Sequence, residues 1–344
     1  MDYQGKYQIF DPAGIHSYPL SQRRNKVQLQ HLLEPAKLRK LTFSLDIQCS
    51  QQIDKLAQAM VAAHRDGKPV IIFTGAHLIK NGLGPILIDL VDRHLVSLVA
   101  GTGATAIHDF ELALIGGTSE DVPCALDKGE FGMANEFAYL NQAMVLGHRM
   151  KLGLGESLGR MICDVDFCRK VLDRSTVADS SADFSFPQTS LLARCYEKNV
   201  PFTVHAGIGT DVIDQHPSFD PAAKGGCSGR DFLIFTHQLS RFTQGGVFLN
   251  IGSAVTGPEV LLKSVSMAAN VGCQPKGMIT ADFDLRPFDP AAMTDEASPG
   301  YYNRHQKSIV TRIPQAFAGQ GYYIQGNQLQ TLPALYCAIL HYLS

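Results

Sequence analysis

The sequence predicts an α/β fold in which helices cover both faces of a mainly parallel sheet. Short apolar runs such as VIIFT (70–74) alternate with longer segments whose apolar residues recur at helical spacing, for example Ile53, Leu56 and Met60. The strand runs are apolar throughout, which is typical of strands buried on both faces. Strands that alternate with helices indicate βαβ units and therefore parallel pairing.

The individual elements follow from these periodicities and from the glycines and prolines between them. Strands are predicted at 70–74, 96–100, 201–205, 246–251 and 277–280, with two short strands at 308–312 and 321–325. Helices are predicted at 50–66 and 84–95, from the corner after residue 100 to 116, in two stretches up to about 175, and at 191–199, 230–242, 257–271 and 332–343. Loops are predicted at 117–130, 176–190, 206–229 and 286–305.

Composition indicates a soluble globular protein with a small-molecule ligand. The 344 residues carry 30 Lys plus Arg and 32 Asp plus Glu, and this balance argues against nucleic acid or a membrane as the partner. Eight scattered cysteines, no signal-peptide pattern and no apolar run of about 18 residues predict free thiols in a reducing cytoplasm. Residues 1–45 are expected to form an arm that packs on a neighbouring subunit or is disordered, and 46–344 a single domain.

Small residues follow each of the five main predicted strands. The corners read TGAHLIKNG, GTGATAIHD, AGIGTD, GSAVTGPE and ADFD. Glycine lets a ligand approach the backbone closely, and the next helix offers free N–H groups to an anion. Tight turns alone would explain any single corner. Because carboxyl ends of parallel strands meet at one edge, the repetition favours a dinucleotide lying across that edge.

The common G-x-G-x-x-G fingerprint is absent. The stretch GTGATA has Ala106 where the third glycine would stand, and no acidic residue ends a second strand at the usual distance. A dinucleotide would therefore bind in another mode.

Five segments in order resemble deoxyhypusine synthase, an NAD-dependent homotetrameric transferase that moves an aminobutyl group from spermidine to a protein lysine. FTGAHLIKNG, GTGATAIHDFELAL, AGIGTD, NIGSAVTGPE and ITADFD resemble its nucleotide-binding loops over roughly residues 70–285. TGATAIHDFELALIGGTS also resembles the NAD domain of archaeal ornithine cyclodeaminases. The resemblance implies a three-layer Rossmann-like fold, NAD as cofactor, and a homo-oligomer, tetramer or dimer, with sites at subunit interfaces. It implies NAD contacts from Thr74, Gly75, Ala76, Gly101, Thr102, Gly103, Asp109, Asp211, Gly252, Ser253, Thr280 and Ala281.

Two departures from this family concern its reaction. The catalytic lysine of the family lies in a Trp-Gly-Lys segment, and this chain contains no tryptophan. The paired histidines of its Gly-rich loop align near Gly257–Glu259. Without that lysine a covalent imine to spermidine cannot form at the same place. The resemblance therefore implies the fold and the cofactor, and not deoxyhypusine synthesis itself.

Several titratable side chains near the corners are candidate catalytic groups. His108 at a helix start would be held neutral by the helix dipole and serve as a base, oriented by Asp109 or Glu111. The alternative is that His108 and Asp109 only cap the helix. Lys80 is a candidate for imine formation, and Glu259 for binding a cationic substrate or answering the helix dipole.

Three functions are compatible with these residues. The first is an enzyme that uses NAD to oxidise transiently a C–N or C–O bond of an amine or amino-acid-like substrate. The second is a non-catalytic dinucleotide-binding or sensor protein. The third is a metal-dependent hydrolase built on His205, Asp211 and His216, although the spacing of these residues matches no known metal motif.

Overall fold

The computed structural model describes residues 3–38, 41–175, 183–293 and 295–344. Eight strands are present in this part of the chain: β1 Asn25–Gln28, β2 Val70–Thr74, β3 Leu98–Thr102, β4 Gly117–Glu120, β5 Phe202–His205, β6 Val247–Ile251, β7 Ile279–Asp284 and β8 Gln320–Gln325. Six of them form one parallel sheet in the order β5-β3-β2-β6-β7-β8. The predicted α/β class with a mainly parallel sheet is confirmed.

The direction in which successive strands are added to the sheet reverses at β2. From β2 the chain builds outward through β3 to β5, then returns to place β6 on the other side of β2 and continues to β8. The order is that of a doubly wound Rossmann-like sheet, and the gap between the carboxyl ends of β2 and β6 is its topological switch point.

The helices are α1 Pro35–Leu38, α2 Ile47–Arg65, α3 Ala76–Lys80, α4 Gly84–Asp92, α5 Gly103–Ile115, α6 Val122–Leu126, α7 Phe137–Arg149, α8 Leu154–Cys163, α9 Val165–Leu172, α10 Leu191–Glu197, α11 Pro221–Ser240, α12 Thr256–Asn270, α13 Ile313–Ala316 and α14 Gln328–Leu343. On one face of the sheet, α11 and α12 enclose a core that includes Phe73, Phe235 and Phe248. On the other face α2 and α14 pack together over buried residues such as Ile72 and Ile339. The sheet is therefore the middle of three layers.

Four predicted boundaries are wrong, each for a local reason. The apolar run 308–312 is part of a π-helix, Gln306–Arg312, because β-branched residues suit any buried surface. Strand β7 ends at Asp284 and not at residue 280, since the polar Asp282 is buried within the sheet and the pairing with β8 continues to Asp284. Helix α11 starts at Pro221, where the side chain of Asp220 accepts a hydrogen bond from Ala223 N. The predicted loop 117–130 contains β4 and α6.

The predicted loop 176–190 falls partly on residues 176–182, which lie outside the described part of the chain.

The N-terminal segment contributes to the fold of its own chain. Strand β1 pairs antiparallel with β4, which places Val27 opposite Thr118. Leu20 is fully buried, whereas Tyr7 and Phe10 are exposed. The first residues of the predicted arm therefore lie on the surface, and the part from Leu20 to Gln28 packs on the domain. In the described ranges no helix is long and apolar enough to cross a bilayer.

Candidate functional site

A cleft of about 200 Å³ opens at the switch point, at the carboxyl ends of β2, β6, β7 and β8. The backbone N–H of Gly75 donates to Ile251 O over 2.9 Å, so the loops after β2 and β6 are joined at its base. The lining residues are His77, Asn81, Gly252, Phe283, Asp284, Leu285, Arg286, Asn327 and Gln328. In doubly wound sheets, ligands bind in this crevice outside the carboxyl ends of the strands.

Gly252 forms part of the cleft wall in a backbone conformation that favours glycine. Its φ is +69°, in the left-handed region, and a Cβ at this position would lie 2.4 Å from Gln328 Nε2. Glycine therefore lets the amide of Gln328 lie directly over the backbone after β6.

Three buried acceptor oxygens, one in the cleft lining and two inside strands β6 and β7, have no hydrogen-bond partner among the described residues. They are Asn250 Oδ1, Asp282 Oδ2 and Gln328 Oε1. Asn250 and Asp282 are register partners on β6 and β7, and Asn250 Nδ2 donates to Asp282 Oδ1 over 2.7 Å. Burial raises the pKa of Asp282 to about 7. Because buried polar groups are almost always paired, unpaired acceptors in two adjacent strands and at the start of α14 are compatible with a hydrogen-bond donor bound near them.

Asp284 stands between these buried groups and the cleft. Its carboxylate forms an ion pair with Arg286, in which NH2 lies 2.6 Å from Oδ2, and the same oxygen lies 3.1 Å from His305 Nε2. Burial acts to raise the pKa of Asp284, but the hydrogen bonds from His305 and Arg286 prevail and lower it. The cleft therefore presents a carboxylate and a guanidinium side by side.

The corner after β3 is filled by charges of the protein itself. A Cβ on Gly103 would lie 2.1 Å from Asp211 Oδ2, so this carboxylate sits at the start of α5. Lys224 is 1% exposed and donates to Asp211 Oδ2 at 2.8 Å, Asp214 Oδ1 at 2.5 Å and Gly207 O at 2.8 Å. Burial raises the pKa of Asp211 although Lys224 opposes the shift. An external anion at this helix start would have to compete with Asp211.

His108 belongs to a chain of hydrogen bonds on α5. Its Nδ1 lies 2.7 Å from Thr118 Oγ1, and the same hydroxyl is bonded to Glu111 Oε2. Glu111 Oε1 in turn lies 2.7 Å from Arg23 NH1. The pKa of His77, which lines the cleft, is lowered by burial and by the charges of Lys80 and His108, so each of these two side chains lies within electrostatic reach of His77.

Asp109 has an internal role. Its carboxylate accepts hydrogen bonds from Ser190 Oγ, Leu191 N and Leu192 N at 2.5, 2.7 and 3.1 Å. These contacts hold the start of α10 against α5, and both oxygens are used in them. Burial raises its pKa to about 6.

His205 and Glu259 are likewise bound to neighbouring residues. His205 stacks on Phe73 with 5.5 Å between ring centroids, and burial lowers its pKa to about 3, so its ring is neutral. Glu259 pairs with Lys263 and, at 2.6 Å, with Arg304 on the protein surface. No group of three His, Cys, Asp or Glu side chains suited to a metal ion occurs in the described ranges, so His205, Asp211 and His216 are not brought together.

The other predicted cofactor contacts divide between two places. Close to the sheet edge lie Thr74, Gly75, Ala76, Gly101, Thr102, Gly103, Gly252 and Ser253. Thr280 and Ala281 lie at the start of β7, away from the cleft, because that strand continues to Asp284. The sequence interpretation missed His77, Asn250, Asp282, Asp284, Arg286, His305 and Gln328. The available signal was one polar residue inside each of two otherwise apolar runs: the asparagine of VFLNI and the first aspartate of ITADFD.

No family model and no curated protein matches this sequence. Among solved structures, it is similar to the apo form of the arginine dihydrolase ArgZ from the ornithine–ammonia cycle of cyanobacteria, with 16% identity, TM-score 0.46, 88% of this chain and 33% of that one. It is similar to AgrE in a ternary complex with ornithine and NAD⁺, with 13% identity, TM-score 0.45 and coverage of 88% and 34%. A putative LOR/SDH protein from Methanococcus maripaludis S2 gives 12% identity, TM-score 0.41 and coverage of 92% and 73%. The chain spans about a third of the length of ArgZ and AgrE. No activity is inferred from similarity at this level.

Proposed function

We propose that this protein is an NAD-dependent enzyme that transiently oxidises a C–N or C–O bond of an amine or amino-acid-like substrate. The observation that carries the proposal is the cleft at the switch point, whose lining includes Gln328 with its unpaired Oε1, together with two further acceptors left unpaired within the described ranges, Asn250 Oδ1 and Asp282 Oδ2, inside the adjoining strands β6 and β7. Dinucleotides bind at this point of doubly wound sheets, and unpaired buried acceptors favour a ligand rich in N–H or O–H donors.

The backbone around Gly75 and Gly252 suits a dinucleotide better than the corner at Gly103 does. At Gly252 the place of a Cβ is taken by the end of the flexible Gln328 side chain, whereas at Gly103 it is taken by Asp211, which Lys224 holds in position. The exposed apolar side chain of Leu285 lines the cleft and offers a surface for a nucleotide ring. Because the cleft is small, only the reacting end of the cofactor is expected inside it. When bound, NAD supplies the hydride acceptor.

The residues of the chain then have distinct roles in the proposed reaction. Asp284 is placed to bind a substrate ammonium group, and Arg286 next to it to bind a carboxylate, the two charged groups of an amino acid. His108 is the proposed proton acceptor. Lys80 is a second candidate, for imine formation, because it lies within electrostatic reach of His77 in the cleft wall.

Calorimetric titration with NAD⁺ tests the cofactor part. The unmodified chain is expected to bind NAD⁺, and Gly252→Ala to weaken binding at least tenfold, since the new Cβ would clash with Gln328. Gly67→Ala is the matched control because Gly67 has a similar φ of +67°, and a Cβ there would meet no described atom within 4 Å. No heat and no shift in melting temperature with NAD⁺ would contradict the proposal.

A rapid-mixing assay with NAD⁺ and a panel of diamines and amino acids tests the reaction. A transient NADH absorbance with one substrate class is the expected result. Binding of NAD⁺ without any such signal would instead favour the non-catalytic dinucleotide-binding alternative.

A further inference from the structure

The hydrogen bonds around His108 determine which ring nitrogen carries the proton. Thr118 Oγ1 lies between His108 Nδ1, at 2.7 Å, and Glu111 Oε2. A hydroxyl has one proton to donate, and an ionised carboxylate can only accept. The Thr118 proton is therefore directed to Glu111, and Thr118 Oγ1 must accept its second hydrogen bond from His108 Nδ1–H.

Glu111 is held in the ionised form that this argument requires. Arg23 NH1 lies 2.7 Å from Glu111 Oε1, and the two side chains are 4% and 2% exposed. Burial acts to raise the pKa of Glu111, but the hydrogen bond with the His108 side chain and the charge of Arg23 lower it to about 2. Glu111 therefore has no proton to return to Thr118 near neutral pH.

The two-stranded sheet of β1 and β4 brings Arg23 and Thr118 to Glu111 and His108 on α5. Strand β4 carries Thr118, and its partner β1 begins two residues after Arg23. Arg23 Nε also donates to Asn25 Oδ1 over 2.9 Å, which fixes the guanidinium beneath α5. Glu120, a second carboxylate near Arg23, lies farther away at 3.9 Å.

We propose that Arg23, Glu111 and Thr118 are positioning residues that hold His108 in the Nδ1–H tautomer and leave Nε2 free to accept a proton from the ligand. The use of Nε2 in catalysis rests on the proposed function, whereas the tautomer does not. If bound NAD⁺ took the hydride from the substrate carbon, Nε2 would accept the proton released from the adjoining N–H or O–H group. The ring becomes an imidazolium, keeps its Nδ1–H bond to Thr118, and returns the proton when the carbon is reduced again.

Nitrogen NMR of the full-length chain without ligand tests the tautomer, with His108→Gln to assign the ring signals. The unmodified chain is expected to show a protonated Nδ1 and an unprotonated Nε2 above the titration range of the ring. Glu111→Gln should reverse this pattern, because a glutamine amide donates to Thr118 Oγ1 and turns the Thr118 proton toward His108.

Thr118→Val and Thr118→Ser keep the proposal testable if Glu111→Gln does not fold. The valine variant removes the acceptor and should give a mixture of tautomers, whereas serine keeps the hydroxyl and should restore the original pattern. An Nε2–H ring in the unmodified chain, or an unchanged spectrum in Thr118→Val, would overturn the proposal.

Titration of the same samples with NAD⁺ separates this proposal from the proposed function. Thr118→Val should bind NAD⁺ within twofold of the unmodified chain, and with a substrate in hand it should lower kcat about tenfold or more with little change in KM. Failure of the unmodified chain to bind NAD⁺ would overturn the proposed function, while the NMR spectra would still decide the tautomer.

Discussion

Two corners of the same sheet edge use buried charge in opposite ways. After β3 and β5, the buried Lys224 is matched by Asp211, Asp214 and a carbonyl oxygen, so each charge has a partner. Near the ends of β6 and β7, Asn250 and Asp282 inside these strands each leave an acceptor oxygen without a partner among the described residues. A satisfied ion cluster fixes loops in place, whereas unpaired acceptors cost free energy that a bound donor would recover. This difference is the basis on which we propose the first corner as scaffold and the second as the place for a ligand.

The largest expected effect comes from breaking the satisfied corner. Lys224→Met would leave Asp211 and Asp214 buried without their cation, and breaking a buried pair in this way costs about 3–5 kcal/mol of the free energy of unfolding. Urea denaturation followed by circular dichroism would measure it. The triple variant that adds Asp211→Asn and Asp214→Asn should recover most of the loss, because no uncompensated charge remains.

A loss of less than about 1 kcal/mol in Lys224→Met would show that water or loop movement relieves the two carboxylates. The corner would then be looser than its contacts indicate, and the contrast between the two corners would fail.

The second corner predicts a pH dependence of stability. Burial raises the pKa of Asp282 to about 7, above the value near 3.9 expected in the unfolded chain, so the folded state binds the extra proton between these values. The contribution of Asp282 is therefore fully present at low pH and declines as the pH rises from about 4 to 7. His305, Asp284 and Arg286 are the charged groups that face it.

Asp282→Asn should remove this dependence, because an amide does not titrate. The free energy of unfolding of the unmodified chain relative to this variant should fall with rising pH by of order 1 kcal/mol per pH unit in that window. Chemical denaturation at several pH values measures the difference. A difference that stays constant between pH 4 and 7 would mean that Asp282 titrates normally.

The fold was predictable because it depends on local patterns. Apolar runs that end in glycine gave β2, β3 and β6 close to their observed bounds, and helical periodicity gave α2 and α12. Where two interpretations share the same pattern, prediction failed. The run 308–312 is a buried π-helix, and the carboxylates at the end of β7 looked like the start of a loop.

The candidate site was less predictable because its residues come from separate segments. His108 could be identified from one corner, and the structure adds its contact with Thr118. Asp284 and Gln328 line one cleft only because β7 and β8 pair in parallel and end together. No local sequence motif predicts that Asp284 and Gln328 lie close together. Asp109, in contrast, stands beside His108 in sequence but its carboxylate points to α10, since neighbours along a helix face different directions.

The smallest effect is expected at Glu259, which the sequence suggested for binding a cationic substrate. Its carboxylate pairs with Lys263 and Arg304, whose side chains are 56% and 61% exposed. Surface ion pairs of this kind contribute about 0–1 kcal/mol and are screened by salt. Glu259→Gln should therefore change the free energy of unfolding by less than about 1 kcal/mol and leave NAD⁺ affinity within twofold, with the stability difference vanishing in about 1 M salt. The double variant with Lys263→Met is the control for the helical pair. A loss of substrate turnover in Glu259→Gln at unchanged stability would contradict this and indicate that Glu259 binds the substrate. The ligand-binding region would then extend from the cleft to the start of α12.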